Sequence, residues 1–112
     1  MIVNINEQKA KGFIEKIRPP EDIRDELDFG FEAKGNLFEF FEIRPNWLDP
    51  KSGVKNHIPF AKIRYYKSQR IWKLYWFRAN DKWELYEPFP ESDTIEQLLA
   101  VIEQDEQACF FG

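Results

Sequence analysis

From Asn6 to Ile17 the apolar residues Ala10, Phe13, Ile14 and Ile17 return at three- and four-residue spacing, which is one face of a helix. The run "RPPEDIRDELD" predicts a second, short helix. Pro19 and Pro20 cannot continue the first but suit an opening turn, Glu21 and Asp22 sit near its positive end, and Ile23 and Leu27 lie four apart. Toward the other terminus "PESDTIEQLLAVIEQDE" predicts a helix with Asp93 as cap, Glu96 completing a capping box, and Ile95, Leu98, Leu99 and Ile102 as the buried stripe. Between the helices the period falls to two. "LDFGFEAK" and "LFEFFEIR" flank Gly35 and Asn36, and "RIWKLYWFRA" and "KWELYE" flank Asn80 and Asp81; each pair tolerates positive φ and closes a two-residue hairpin. "IPFAKIRYYK" reaches the next strand through Ser68 and Gln69, and residues 45–57 form the one long irregular loop. The predicted fold is α+β: a five-stranded antiparallel meander packed on one face by the N-terminal and C-terminal helices, with residues 1–112 as a single domain.

Register then sorts the faces. With Asn80 and Asp81 as the turn, Arg78 lies opposite Trp83, Trp76 opposite Leu85 and Tyr75 opposite Tyr86. With Ser68 and Gln69 as the other turn, Tyr65 lies opposite Trp72, Ile63 opposite Leu74 and Ala61 opposite Trp76. The core face therefore carries Ala61, Ile63, Tyr65, Trp72, Leu74, Trp76, Trp83 and Leu85, joined by Phe29, Phe31, Ala33, Phe38 and Phe40 from the first hairpin. Most of the rings crowded into residues 70–90 are accounted for as filling between sheet and helices.

The opposite face is the unusual one. It carries Phe60, Tyr66, Ile71, Tyr75, Phe77 and Tyr86, with four bases (Lys62, Arg64, Lys73, Lys82) against one acid, Glu84; the first hairpin adds Glu32 and Glu39. An aromatic patch of this kind suits a protein partner or a second copy of the chain. Rings interleaved with bases also suit single-stranded nucleic acid, whose bases stack while Lys and Arg hold phosphates. The candidate binding residues on this face are Lys62, Arg64, Tyr66, Lys73, Tyr75, Phe77 and Tyr86. A second candidate lies at the rim of the core, where Glu42 and Arg44 follow Phe38 and Phe40 on the inward side, Arg78 ends the fourth strand, and the loop "RPNWLDP" brings Trp47 and Asp49. A carboxylate beside arginines there forms an ion pair or lines a pocket for a small ligand or an enzyme reaction.

Composition narrows the classes. The chain has 112 residues, enough for one compact core, and is 43% hydrophobic, 17% aromatic and 32% charged, which fits neither a disordered chain nor a membrane span. The start, "MIVNINEQKAKGF", has no basic region followed by an apolar core, so no secretory signal is expected. A single cysteine, Cys109, allows no intrachain disulfide and makes the cytoplasm the default location. The net charge of -4 argues against indiscriminate binding to duplex nucleic acid. His57 and Cys109, each the only residue of its type, build no metal set, and no glycine-rich phosphate loop appears. No catalytic residue, metal or cofactor is assigned.

The run "RPNWLDP", the strand "PFAKIRYYK", the hairpin "WKLYWFRANDKWELYE" and the end "TIEQLLAVIEQDEQACFFG" resemble, in order and spacing, a family of short bacterial proteins classed as domain of unknown function 3024. Three positions depart from the family's usual pattern: Asn46 replaces a second proline, Asp81 replaces the glycine of an Asn-Gly turn, and Glu84 replaces a histidine. The resemblance implies a bacterial, intracellular setting and supplies no activity. The leading functional expectation is a non-enzymatic protein-interaction or self-association module, such as a homodimer, ahead of single-stranded nucleic-acid binding and of a rim pocket or enzyme.

Overall fold

The computed structural model describes residues 5–46 and 48–111. Helix α1 (Ile5–Ile17) is followed by strands β1 (Asp28–Lys34), β2 (Leu37–Pro45), β3 (Lys55–Tyr66), β4 (Ile71–Phe77) and β5 (Trp83–Leu85), a two-residue strand β6 (Glu91–Ser92) and helix α2 (Ile95–Gln104). The sheet runs β1-β2-β3-β4-β5, all antiparallel, as the patterning predicts. Strand β6 pairs with β4, so it shares with β5 the same outer edge. Pro88 and Pro90 lie in the short loop between them, where a ladder N–H is missing. Both helices pack on one face of the sheet: α1 on β1, α2 on β3 and β4, and the helices on each other. Ala10, Phe13 and Ile14 of α1 and Ile95, Leu98, Leu99 and Ile102 of α2 are buried against Phe38, Phe40, Ile63, Leu74 and Trp72. Among the described residues no helix is long and apolar enough to cross a membrane.

Several local expectations are corrected. The segment after Pro20 makes hydrogen-bonded turns, Ile23 N to Pro20 O and Leu27 N to Ile23 O, and no regular helix. Arg18 takes over the anchoring role there: its Nε and Nη2 donate to Asp28 Oδ1 and Oδ2 at 2.9 and 2.8 Å, tying the end of α1 to the start of β1. Thr94 is the N-cap of α2 in place of Asp93, and no side chain of a capping box bonds it. The buried Ser92 does that work from two residues before the cap, its Oγ accepting from Thr94 N and donating to Gln97 Oε1. Both ends of the expected loop are paired: β2 and β3 extend into it as a ribbon, from Ile43 opposite His57 to Pro45 opposite Lys55.

Two register events decide which side chains face where. Phe40 pairs with Ala61 but Phe41 pairs with Pro59, so Phe60 is an extra residue in β3. Pro59 has no N–H for the ladder, and a bulge is where a sheet interior tolerates it. The bulge turns Phe60 inward to 5% exposure against Phe29, Phe40 and Phe111, correcting its expected outward position. The hairpin between β4 and β5 has three connecting residues, Ala79, Asn80 and Asp81, closed by Arg78 N to Lys82 O and with Asp81 at φ 63°. Phe77 therefore pairs with Trp83, Trp76 with Glu84 and Tyr75 with Leu85, one residue away from the expected register. A one-residue slip exchanges faces. Trp83 and Leu85 move outward, Glu84 moves to the helix side, and Tyr86, expected outside, is only 2% exposed and packs on Phe110.

Candidate interaction surface

The sheet face away from the helices is covered by no element among the described residues. Neighbouring strands place Glu39, Lys62, Tyr75 and Leu85 in one row across it and Leu37, Arg64, Lys73 and Glu91 in the next. The cations lie on rings. Lys62 Nζ is 5.0 Å from the Tyr75 ring centre and 4.7 Å from that of Trp83, Lys73 Nζ is 5.0 Å from Tyr66, and the Arg64 guanidinium is 5.6 Å from Tyr66. Each contact draws a cation to the electron-rich ring face. Tyr66 and Tyr75 share a hydroxyl hydrogen bond of 2.5 Å, and Phe77 meets Trp83 edge-on at 4.9 Å. Burial pushes the Lys62 ammonium below its ordinary lysine value, with Glu39 opposing and Arg64 adding to the shift. Burial, with the Tyr66 hydrogen bond next, pushes the Tyr75 phenol up to about 12. The patch is thus an ordered, partly dehydrated cluster of three cations and four rings.

A second, apolar cluster adjoins it. Phe41 stacks on His57 at 4.4 Å and lies over Gly30, where an added Cβ would come within 2.9 Å of the ring. Glycine there lets the Phe41 ring lie flat on the strand.

Of the expected face residues, Lys62, Arg64, Tyr66, Lys73, Tyr75 and Phe77 share this surface, and Tyr86 does not. Trp83 and Leu85 belong to it against expectation, and Asp81 as a left-handed turn residue is the signal for them; Phe41 also belongs to it, where the alternation of Phe38, Phe40 and Glu42 puts it. The rim residues divide. Glu42 and Arg44 do meet, Nε to Oε2 at 3.0 Å, and line a cleft of about 400 Å³. Arg78 is elsewhere, paired to Glu84 at 2.6 Å and lying over Trp76. Asp49 is exposed before a 3-10 turn (Pro50–Ser52) and is not among the residues lining that cleft. Trp47 lies outside the described residues. His57 is on the uncovered face, whereas Cys109 lies beside the core with its thiol pushed up by burial and by Asp105, which favours the protonated form.

The family model described as a domain of unknown function (DUF3024) matches residues 2–112. The chain belongs to this family. No curated protein and no solved structure matches the chain. Within the DUF3024 chain the expected departures now have places: Asp81 holds the left-handed position of the β4–β5 turn, and Glu84 faces the helix side in an ion pair with Arg78.

Proposed function

We propose that the chain is a self-associating protein-interaction module in which two copies pack their uncovered sheet faces together. The observation that carries this reading is the ordered cation-on-ring cluster in the β3–β5 half of a face that, among the described residues, no helix covers. Charge supports a second copy as the occupant. The β3–β4 half of the face holds Lys62, Arg64 and Lys73, while the β1–β2 half holds Glu32 and Glu39 beside one base, Lys34. A two-fold axis along the strands between β2 and β3 lays each copy's acidic half on the other's basic half. With that axis β1–β4 of the two copies overlap, roughly 400 Å² of sheet per copy at strand spacing. Doubled, that is the size of a small, reversible interface.

Single-stranded nucleic acid suits the face less well. The ring faces a base would stack on are taken by Lys62, Lys73 and Arg64, and Glu39 and Glu91 flank the cations where a phosphate chain would continue. The test is molar mass by light scattering across a size-exclusion peak, with Phe77→Glu as the interface variant. A dimer that Phe77→Glu splits, with the circular dichroism spectrum unchanged, supports the reading. A monomer whose peak shifts with a short single-stranded oligonucleotide at low salt, and returns at physiological salt, supports the nucleic-acid alternative instead.

A further inference from the structure

The helix side of the sheet has an open end. Helix α1 stops at Ile17 before the proline pair, and β2 runs on beyond Phe40, so Glu42 and Arg44 border a cleft instead of the core. The cleft holds about 400 Å³ and is lined by Ile17, Leu27, Phe29, Phe111 and that ion pair. This volume is near the lower end of small-molecule sites, room for a compact ligand and not for a folded partner.

The ion pair is lopsided. Glu42 is the more buried member, at 19% side-chain exposure against 48% for Arg44. Among the described residues its carboxylate accepts from Arg44 Nε alone, and the Arg44 side chain has no other hydrogen bond or ion pair. The end of the guanidinium that carries Nη1 and Nη2 therefore keeps two parallel donors in the fork that a carboxylate matches. The guanidinium is the more exposed member of the pair at the mouth, and the remaining walls are apolar. We propose that this cleft binds a small monocarboxylate with an apolar body, its carboxylate on the Arg44 Nη pair and its hydrocarbon part against Ile17, Leu27, Phe29 and Phe111. The site lies on the opposite side of the sheet from the self-association face, so either can fail without the other.

The probe is 4-phenylbutyrate, titrated into ¹⁵N-labelled protein, with 4-phenylbutan-1-ol and 4-phenylbutylamine as size-matched controls. The acid is expected to shift the amides of Leu27, Phe29, Arg44 and Phe111 saturably, and the alcohol and amine to bind about tenfold more weakly or not at all. Arg44→Gln, at a half-exposed position, is expected to keep the native spectrum and weaken the acid about tenfold. Glu42→Gln removes the competing carboxylate and is expected to tighten it, an effect that a merely structural ion pair would not produce. Absence of saturable shifts at these amides, equal binding of the alcohol or amine, or an Arg44→Gln variant that binds like the native chain would overturn the proposal.

Discussion

Asp28 is the residue that joins the most pieces. Its carboxylate receives both Arg18 donors and the Phe29 backbone N–H at 2.8 Å, so one side chain ties the end of α1 to the first residues of the sheet. The Arg18 hydrogen bond holds the Asp28 carboxyl below the usual aspartate range, with burial opposing and the Phe29 N–H assisting. A carboxylate depressed on folding contributes stability that is complete above its unfolded value near 4 and is lost as pH falls through the lower folded value. Asp28→Asn is therefore expected to cost about 1–3 kcal/mol near neutral pH and to flatten the acid side of a urea-stability profile measured against pH. The partner is ten residues away across two prolines, and nothing in the sequence between them announces the pair. On the other face, Lys62 resting on Tyr75 and Trp83 shows the same point from the opposite direction: the lysine was legible as an outward residue, but its second ring depends on a register set elsewhere.

Elements were legible where a period ran uninterrupted. The stripes of α1 and α2, the meander order and the pairing of β3 with β4 follow from apolar spacing and turn residues alone, and the helices land on the side that spacing selects. Reading failed where one residue was gained. The Phe60 bulge and the third residue of the β4–β5 turn each move side chains to the other face, and alternation by itself cannot count an extra residue. Both events have a physical marker in Pro59 and Asp81, which is why Phe60, Trp83, Leu85 and Tyr86 were misassigned together while Lys62, Arg64, Lys73, Tyr66, Tyr75 and Phe77 were not. Phe60→Ala tests the bulge: a ring buried among Phe29, Phe40 and Phe111 is expected to cost about 3–5 kcal/mol in denaturant unfolding, whereas an outward ring would cost little. Asp81→Gly tests the turn. At φ 63° a glycine pays no Cβ penalty, so a gain of about 1 kcal/mol and a raised melting temperature are expected.

At the scale of the whole molecule the fold is one layer of helices on one layer of sheet, and its second sheet face has no covering element of its own among the described residues. On this face the half-buried Tyr66, Tyr75, Phe77, Trp83 and Leu85 would leave water if something covered them. In the proposed dimer the basic half of this face meets the more acidic half of a second copy, and the 400 Å³ cleft on the other side stays free for the proposed ligand. The most direct measurement is the molar mass of the native chain by light scattering at micromolar concentration and physiological salt. The expected result is a mass of twice 13.5 kDa that falls to the single value in Phe77→Glu. A mass of 13.5 kDa at every concentration up to the millimolar range would contradict the account.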